Sequence, residues 1–160
     1  MQPKNRLFFK YNWSNLTIKQ IIERLITIPG VGILTAVTVL GETNGFELIR
    51  NKSQLSAYAG LDIKEKQSGT SVKAKPRITK KGNRNLRKSM YLPALTAVRC
   101  DDNFKEIYAG LVSKHGIKMK ALVAVQRKIL ELIYVLFKNQ TLYDQQYKTK
   151  NSVKTETVTR

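Results

Sequence analysis

A mainly α fold, a helical domain interrupted by one long basic loop, is what this sequence predicts, and three observations predict it. Apolar residues recur at helical spacing in several segments, most densely from Leu122 to Phe137. The stretch Ile28-Pro29-Gly30-Val31-Gly32 reads as a tight turn between two of those segments. Between Lys64 and Lys88 the chain carries ten Lys or Arg and a single acid, Glu65, with few large apolar residues. Such a composition cannot bury a core, so its charge faces solvent or a polyanion.

The elements follow in order. Residues 1–16 are aromatic and basic without a clear period, and read as an N-terminal arm. A helical domain is expected over 17–139. Its first helix starts at Thr17, with Gln20 three residues on in a capping-box pattern. Ile18, Ile21, Ile22, Leu25 and Ile26 give it one apolar face, and Pro29-Gly30 ends it. A second helix runs from about Gly32 to Gly41. Ser53 to Ala59 predicts a short capped helix closed by Gly60. Phe46, Leu48, Leu55, Tyr58 and Leu61 are candidate core residues. The basic loop follows and has room for a short β-hairpin, with Ile63 and Val72 as weak strand signals.

Asn83 is a good N-cap for a helix from Arg84 to about Arg99, with Leu86, Met90, Leu95 and Val98 facing inward. Pro93 falls inside that span and kinks it unless the helix is two pieces. Asp101 or Asp102 caps the next helix, which Gly116 stops near Lys114. The last helix, about Met119 to Lys138, is apolar over a wide arc and should be central to the core. Residues 140–160 are polar and mixed in charge, and are expected to be disordered.

The 160 residues are 42% hydrophobic, enough for one domain with a real core. Net charge is +18 and the pI is about 10.2. That excess points to nucleic acid or an anionic membrane, and its spread over loops and helix ends favours nucleic acid. No apolar run reaches the roughly 18 residues of a membrane span, and no signal peptide is evident. A cytoplasmic, nucleoid-associated protein is the expectation. One cysteine, Cys100, and one histidine, His115, exclude an internal disulfide and the usual zinc clusters. Cys100 reads as a packing residue and His115 as a solvent-facing helix end. The acids Glu42, Glu47, Asp62, Glu65, Asp101, Asp102, Glu106 and Glu131 form no spacing that suggests a metal site, so no metal or cofactor is expected in this chain.

Two features carry function. The turn at 28–32 followed by a helix from Gly32 has the make-up of a helix-hairpin-helix motif, here spanning 18–41. Free N–H groups and the positive end of the helix dipole would grip a DNA phosphate there without reading sequence. Gly30, Val31 and Gly32 are its contact candidates. In the basic segment Lys73, Lys75, Arg77, Lys80, Lys81, Asn83, Arg84, Arg87 and Lys88 are candidate DNA- or RNA-binding residues. Arg84, Arg87 and Lys88 oppose the dipole of their own helix, a conflict that a bound phosphate would relieve. Ser68-Gly69 sits among these cations. Its hydroxyl is either a phosphate contact or a nucleophile. The surrounding charge would stabilise a pentacoordinate phosphorane, but no base is evident, and the residues alone favour a plain loop serine.

The order IPGVG…TAVTVLGE, F…SQLSAYAGL, QSGTSVKAK…ITKKGNRNLRKSMYLPALTA and a Lys-rich helical end resembles the C-terminal transposase domain of the insertion sequence 110/116/902 family, to which the pilin-gene DNA invertases are related. The resemblance covers roughly Leu25 to Lys138. It implies that Ser68 is a nucleophile forming a covalent phosphoserine link with DNA, with Ser71 and Ser89 the nearest alternatives. It maps the hairpin glycines to Gly30 and Gly32, and a Lys-Gly-Asn…Leu-Arg motif to Lys81, Gly82, Asn83, Leu86 and Arg87. It also implies three partners: DNA, a structured guide RNA, and an N-terminal RNase-H-like domain whose DEDD acids hold magnesium. It leaves room for a homo-oligomer. Only about 25 residues precede the turn, and Glu23 is their one acid. The acids are therefore expected from elsewhere, whether the chain is a truncated reading frame, an excised domain or one half of a partnership. The expectation is a chain that binds nucleic acid but does not exchange strands alone. A non-catalytic helix-hairpin-helix binding module is the alternative, and a basic ribosome-associated RNA-binding protein a more distant one.

Overall fold

A computed structural model describes residues 17–47, 49–64, 67–68, 72–73 and 77–146. Among them α1 spans Ile18–Leu25, α2 Ile33–Glu42, α3 Lys52–Ala59, α4 Arg84–Ser89, α5 Tyr91–Cys100, α6 Asp102–His115 and α7 Lys118–Asn139. Between α3 and α4 lie four two-residue strands, β1 Ile63–Lys64, β2 Gln67–Ser68, β3 Val72–Lys73 and β4 Arg77–Ile78. The fold is mainly α, as the apolar periodicity predicts.

Local chemistry sets most of the boundaries. Gln20 Oε1 accepts a 3.0 Å hydrogen bond from the Thr17 N–H at the start of α1. The Asn51 side chain accepts from Gln54 N at 2.8 Å, so α3 begins just before the predicted Ser53. Gly60, in the left-handed conformation, closes it. The helix expected from Arg84 to Arg99 is two pieces that meet at Met90. Pro93 consequently falls in the first turn of α5, where a missing N–H has no intrahelical partner to lose. Asp101 Oδ1 accepts from Phe104 N at 3.1 Å and starts α6; Gly116, left-handed, ends it.

The core gathers around α7. At 1.5 Å per residue its 22 residues span about 33 Å, and it packs against α1, α3, α5 and α6. Leu122, Val125, Ile129, Leu130, Ile133 and Leu136 are buried along it. Phe46 is fully buried. Its ring meets Tyr134 edge-on at 5.4 Å between centroids and Phe137 at 4.9 Å. Burying a ring of that size contributes roughly 1.5–3 kcal/mol. Leu55 and Leu61 are buried with it. Leu48 lies outside the described residues, and Tyr58 is exposed rather than core. Its hydroxyl donates to the Glu42 carbonyl at 2.9 Å. Cys100, the last residue of α5, is likewise exposed, not a packing residue.

The polar tail is expected to be disordered from residue 140, yet residues 140–146 dock on the helical body. Arg24 donates to the Gln140 carbonyl. Tyr143 N donates to Thr27 Oγ1 at 3.0 Å, and Tyr143 Oη to Asp101 Oδ2 at 2.7 Å. Asn103 Nδ2 donates to the Gln145 carbonyl at 2.8 Å. This strap crosses from the end of α1 to the start of α6 on directional hydrogen bonds. Composition alone does not reveal such contacts. Residues 147–160 and the arm 1–16 lie outside the described residues.

Candidate nucleic-acid interface

The basic segment leaves the helical body after α3 and returns at α4, and its two ends are pinned together. Gly60 has φ of +68°, and a Cβ there would lie 2.7 Å from Gly82 N. A Cβ on Gly82 would collide with the Tyr58 carbonyl and Gly60 N. Asn83 N donates to Tyr58 O at 2.7 Å, Lys80 N to Gly60 O at 3.2 Å and Thr79 N to Asp62 O at 3.0 Å. The Thr79 hydroxyl also donates to Asp62 Oδ1. Across this neck lies the Arg87 guanidinium, whose Nη1 donates to Ala59 O at 2.7 Å and whose nitrogens reach the Gly82 and Lys80 carbonyls at 3.5 Å.

Beyond the neck the chain forms two successive antiparallel ladders. In the outer one Ile63 faces Ile78 and Lys64 faces Arg77. In the inner one Gln67 faces Lys73 and Ser68 faces Val72. Ser68 is thereby on a strand inside the cationic segment, beyond the β1–β4 ladder along the chain. Of Lys73 and Arg77 the backbone is described; Lys75 and Ser71 lie outside the described residues. Ser89, the other serine weighed, donates its hydroxyl to Leu86 O at 2.9 Å on α4.

The remaining predicted contacts divide by what their side chains already do. Lys80, Lys81, Arg84 and Lys88 are exposed around the neck and the first turns of α4. Arg87 does not join them, because its guanidinium is turned onto backbone carbonyls. Asn83 is committed at both ends of its amide: Oδ1 accepts from Leu86 N at 3.0 Å and Nδ2 donates to Glu42 Oε2. Asn85 Nδ2 donates to Glu42 Oε1 at 2.9 Å. These bonds, Asn83 first, hold the Glu42 carboxyl below its ordinary pKa. An anion of the protein's own therefore already sits at the start of α4. Glu42 thus meets part of the dipole conflict that a bound phosphate would relieve.

At the turn before α2 the two glycines do different work. Gly30 has φ of +85°, and a Cβ on it would strike the Pro93 carbonyl and come within 3.1 Å of Ala97 N. Its close approach is to α5. Gly32, the N-cap of α2, has extended backbone, and a Cβ there would meet nothing within 4 Å. Val31 is buried and its N–H donates to Ile28 O at 3.0 Å, which leaves it neither side chain nor amide for a ligand. Ile33 and Leu34, next to Gly32, are exposed, Leu34 by 81%.

Among the described residues no three of His, Cys, Asp and Glu come together as a metal-ligand set. Glu42 serves Asn83 and Asn85, Asp62 serves Thr79, and Asp101 serves Phe104 and Tyr143. No helix among the described residues is long and apolar enough to cross a membrane. The neck is the part that sequence reasoning missed. Gly82 and Arg87 stand out as motif residues, but nothing in their spacing says that they close a loop, and Glu42 joins Asn83 across 41 residues.

A model of the family described as Transposase IS116/IS110/IS902 matches residues 22–109, more than half of the chain. The chain belongs to that family. The matched span runs from α1 through the neck and basic segment into α6. Among curated proteins the chain is similar to the "Insertion element IS110 uncharacterized 43.6 kDa protein" of Streptomyces coelicolor, at 27% identity over 75% of this chain and 29% of that one. It is also similar to the pilin gene-inverting protein of Moraxella lacunata, at 27% identity over 75% of this chain and 38% of that one. The transposase for insertion sequence element IS1111A of Coxiella burnetii is 30% identical over 76% of this chain and 34% of its own length. The chain thus spans about a third of the length of these relatives. Membership of that family makes the chain transposase-related.

Proposed function

We propose that this chain is the C-terminal, DNA-binding part of a transposase and that Ser68 is its nucleophile. The observation that carries the reading is the family match, which runs unbroken across the cationic segment holding Ser68. In the step proposed, Ser68 Oγ attacks a DNA phosphorus. An Oγ–P bond forms, the bond from phosphorus to the leaving deoxyribose oxygen breaks, the serine proton passes to a base and the departing oxygen takes one up. The exposed Lys80, Lys81, Arg84 and Lys88 around the neck attract the DNA backbone to the segment that holds Ser68. Open space in front of Gly32 and the unpaired N–H groups of the first turn of α2 suit a helix-hairpin-helix grip on a neighbouring phosphate, which positions DNA without specifying it. Of the predicted hairpin contacts, Gly32 carries this grip.

Magnesium-binding acids come, in this reading, from an RNase-H-like DEDD domain outside the chain, and a guide RNA selects the target. Alone, the chain binds DNA and does not exchange strands. Covalent trapping tests the reading. The chain is mixed with the acidic domain of a matching transposase, guide RNA, magnesium and labelled DNA, then run on a denaturing gel. A protein–DNA adduct lost in Ser68→Ala supports it. An adduct that survives Ser68→Ala overturns the assignment of the nucleophile. Retained DNA binding with no adduct leaves a non-catalytic binding module.

A further inference from the structure

Eight consecutive residues at the turn between α6 and α7, Ser113 to Lys120, are all exposed. They include Lys114, Lys118 and Lys120 with His115, and no acid. Along the chain the nearest acids are Glu106 and Glu131, and Glu131 is already paired with Arg127 at 2.8 Å. None of the three lysines makes a salt bridge among the described residues. Lys118 and Lys120 stand in the first turn of α7, where the helix dipole opposes both. The helical body gains nothing internal from this concentration of charge. Places where local preference is broken without an internal gain are where function is expected.

We propose that the α6–α7 turn is a second nucleic-acid contact, holding a phosphate backbone separately from the segment between α3 and α4. The proposal rests on the DNA-binding reading above. Its position is distinct. Ser56 of α3 donates to Glu131 of α7, and Glu131 lies thirteen residues, about 20 Å along the axis, from Lys118. The basic segment emerges from the end of α3, so the two cationic surfaces are separated along the body. Ile117 and Met119 are interleaved with the lysines at 44% and 57% exposure. Two half-exposed apolar side chains suit contact with sugar faces beside the phosphates. They fall short of the continuous apolar stripe with which a helix enters a lipid surface.

The test compares the triple variant Lys114→Gln, Lys118→Gln, Lys120→Gln with a reference variant Lys80→Gln, Lys81→Gln, Arg84→Gln. Binding to a labelled duplex of about 30 base pairs, roughly 100 Å long, is followed by anisotropy across a range of salt. Each phosphate contact contributes about 0.9 to the slope of log affinity against log salt, so three lost contacts flatten the slope by about 2.7. Across a fourfold rise in salt the unmodified chain should then lose about 40-fold more affinity than the turn variant. A flattened slope with a single-stranded RNA of equal length supports the proposal and makes RNA a ligand of the turn. An unchanged slope in the turn variant, with a flattened slope in the reference variant, overturns the proposal and leaves the DNA-binding reading intact. Absence of salt-dependent binding in the unmodified chain overturns both. Loss of binding to phosphatidylserine vesicles with an unchanged DNA slope assigns the turn to a membrane surface and overturns the proposal. Unchanged circular dichroism of both variants establishes that folding is not what moved.

Discussion

The Tyr143 hydroxyl donates a 2.7 Å hydrogen bond to Oδ2 of Asp101, whose other oxygen caps α6. Asp101 is buried, and the phenol is its partner across 42 residues. Tyr143→Phe leaves that carboxylate oxygen without its donor. The expected cost is about 1–3 kcal/mol, read by urea unfolding at neutral pH. An unchanged midpoint would mean that the strap contributes nothing to the fold.

The same pair predicts an alkaline effect. Burial first, then the hydrogen bond to Asp101 and its charge, push the Tyr143 pKa well above its ordinary value. An unfolded tyrosine releases its proton near pH 10. Stability from the folded phenol is therefore full below about pH 10 and falls as pH rises beyond it. Tyr143→Phe should flatten that limb of the pH–stability curve, and a limb of equal steepness in the variant would contradict the assignment.

Glu42 predicts the opposite limb. Its carboxyl is held low by the Asn83 and Asn85 amides. The stability it contributes is present above an unfolded pKa of about 4.3 and is lost as pH falls through the folded value. In Glu42→Gln, acid unfolding between pH 5 and pH 3 (approximate bounds) should be less steep than in the unmodified chain.

The two turn glycines should separate folding from binding. Gly30→Ala forces a Cβ against the Pro93 carbonyl at positive φ, so it should cost about 1–3 kcal/mol. Gly32→Ala places a methyl in open space at an N-cap and should cost at most about 1 kcal/mol. If α2 grips a phosphate, it is Gly32→Ala that should weaken DNA binding per folded molecule. Equal affinity for Gly32→Ala and the unmodified chain would count against that grip.

At the neck, Arg87→Ala removes a guanidinium from the Ala59 carbonyl and should lower the melting temperature by several degrees, equivalent to about 1–3 kcal/mol. The measurement also sorts the roles of the cations. Lys81→Ala, at an exposed position, should leave melting within about 0.5 kcal/mol of the original.

What the sequence made legible was mostly local. Asn83 caps α4, Gly116 stops α6, and the run from Leu122 to Leu136 faces the core, each within one turn of where its pattern lies. Pro93 signalled a break, and the break came at Met90, one turn earlier, because proline fits the start of a helix and not its middle. The contacts that build the site and seat the strap are long-range. Gly60 meets Gly82, Glu42 meets Asn83, and Tyr143 meets Asp101, with no periodicity linking either partner to the other. Arg87 shows the limit most clearly. A guanidinium suits a phosphate and a set of carbonyl oxygens equally well, and composition cannot say which it will find.

Because the crossing at Gly60 and Gly82 ties the basic segment off at its base, what lies beyond it can be exchanged like a cassette. The helices hold the two ends at a fixed spacing whatever the intervening length, and doubling a loop between fixed ends costs only about 0.6 kcal/mol in closure entropy. A change in the length of that segment should therefore leave the melting temperature of the helical body nearly unmoved.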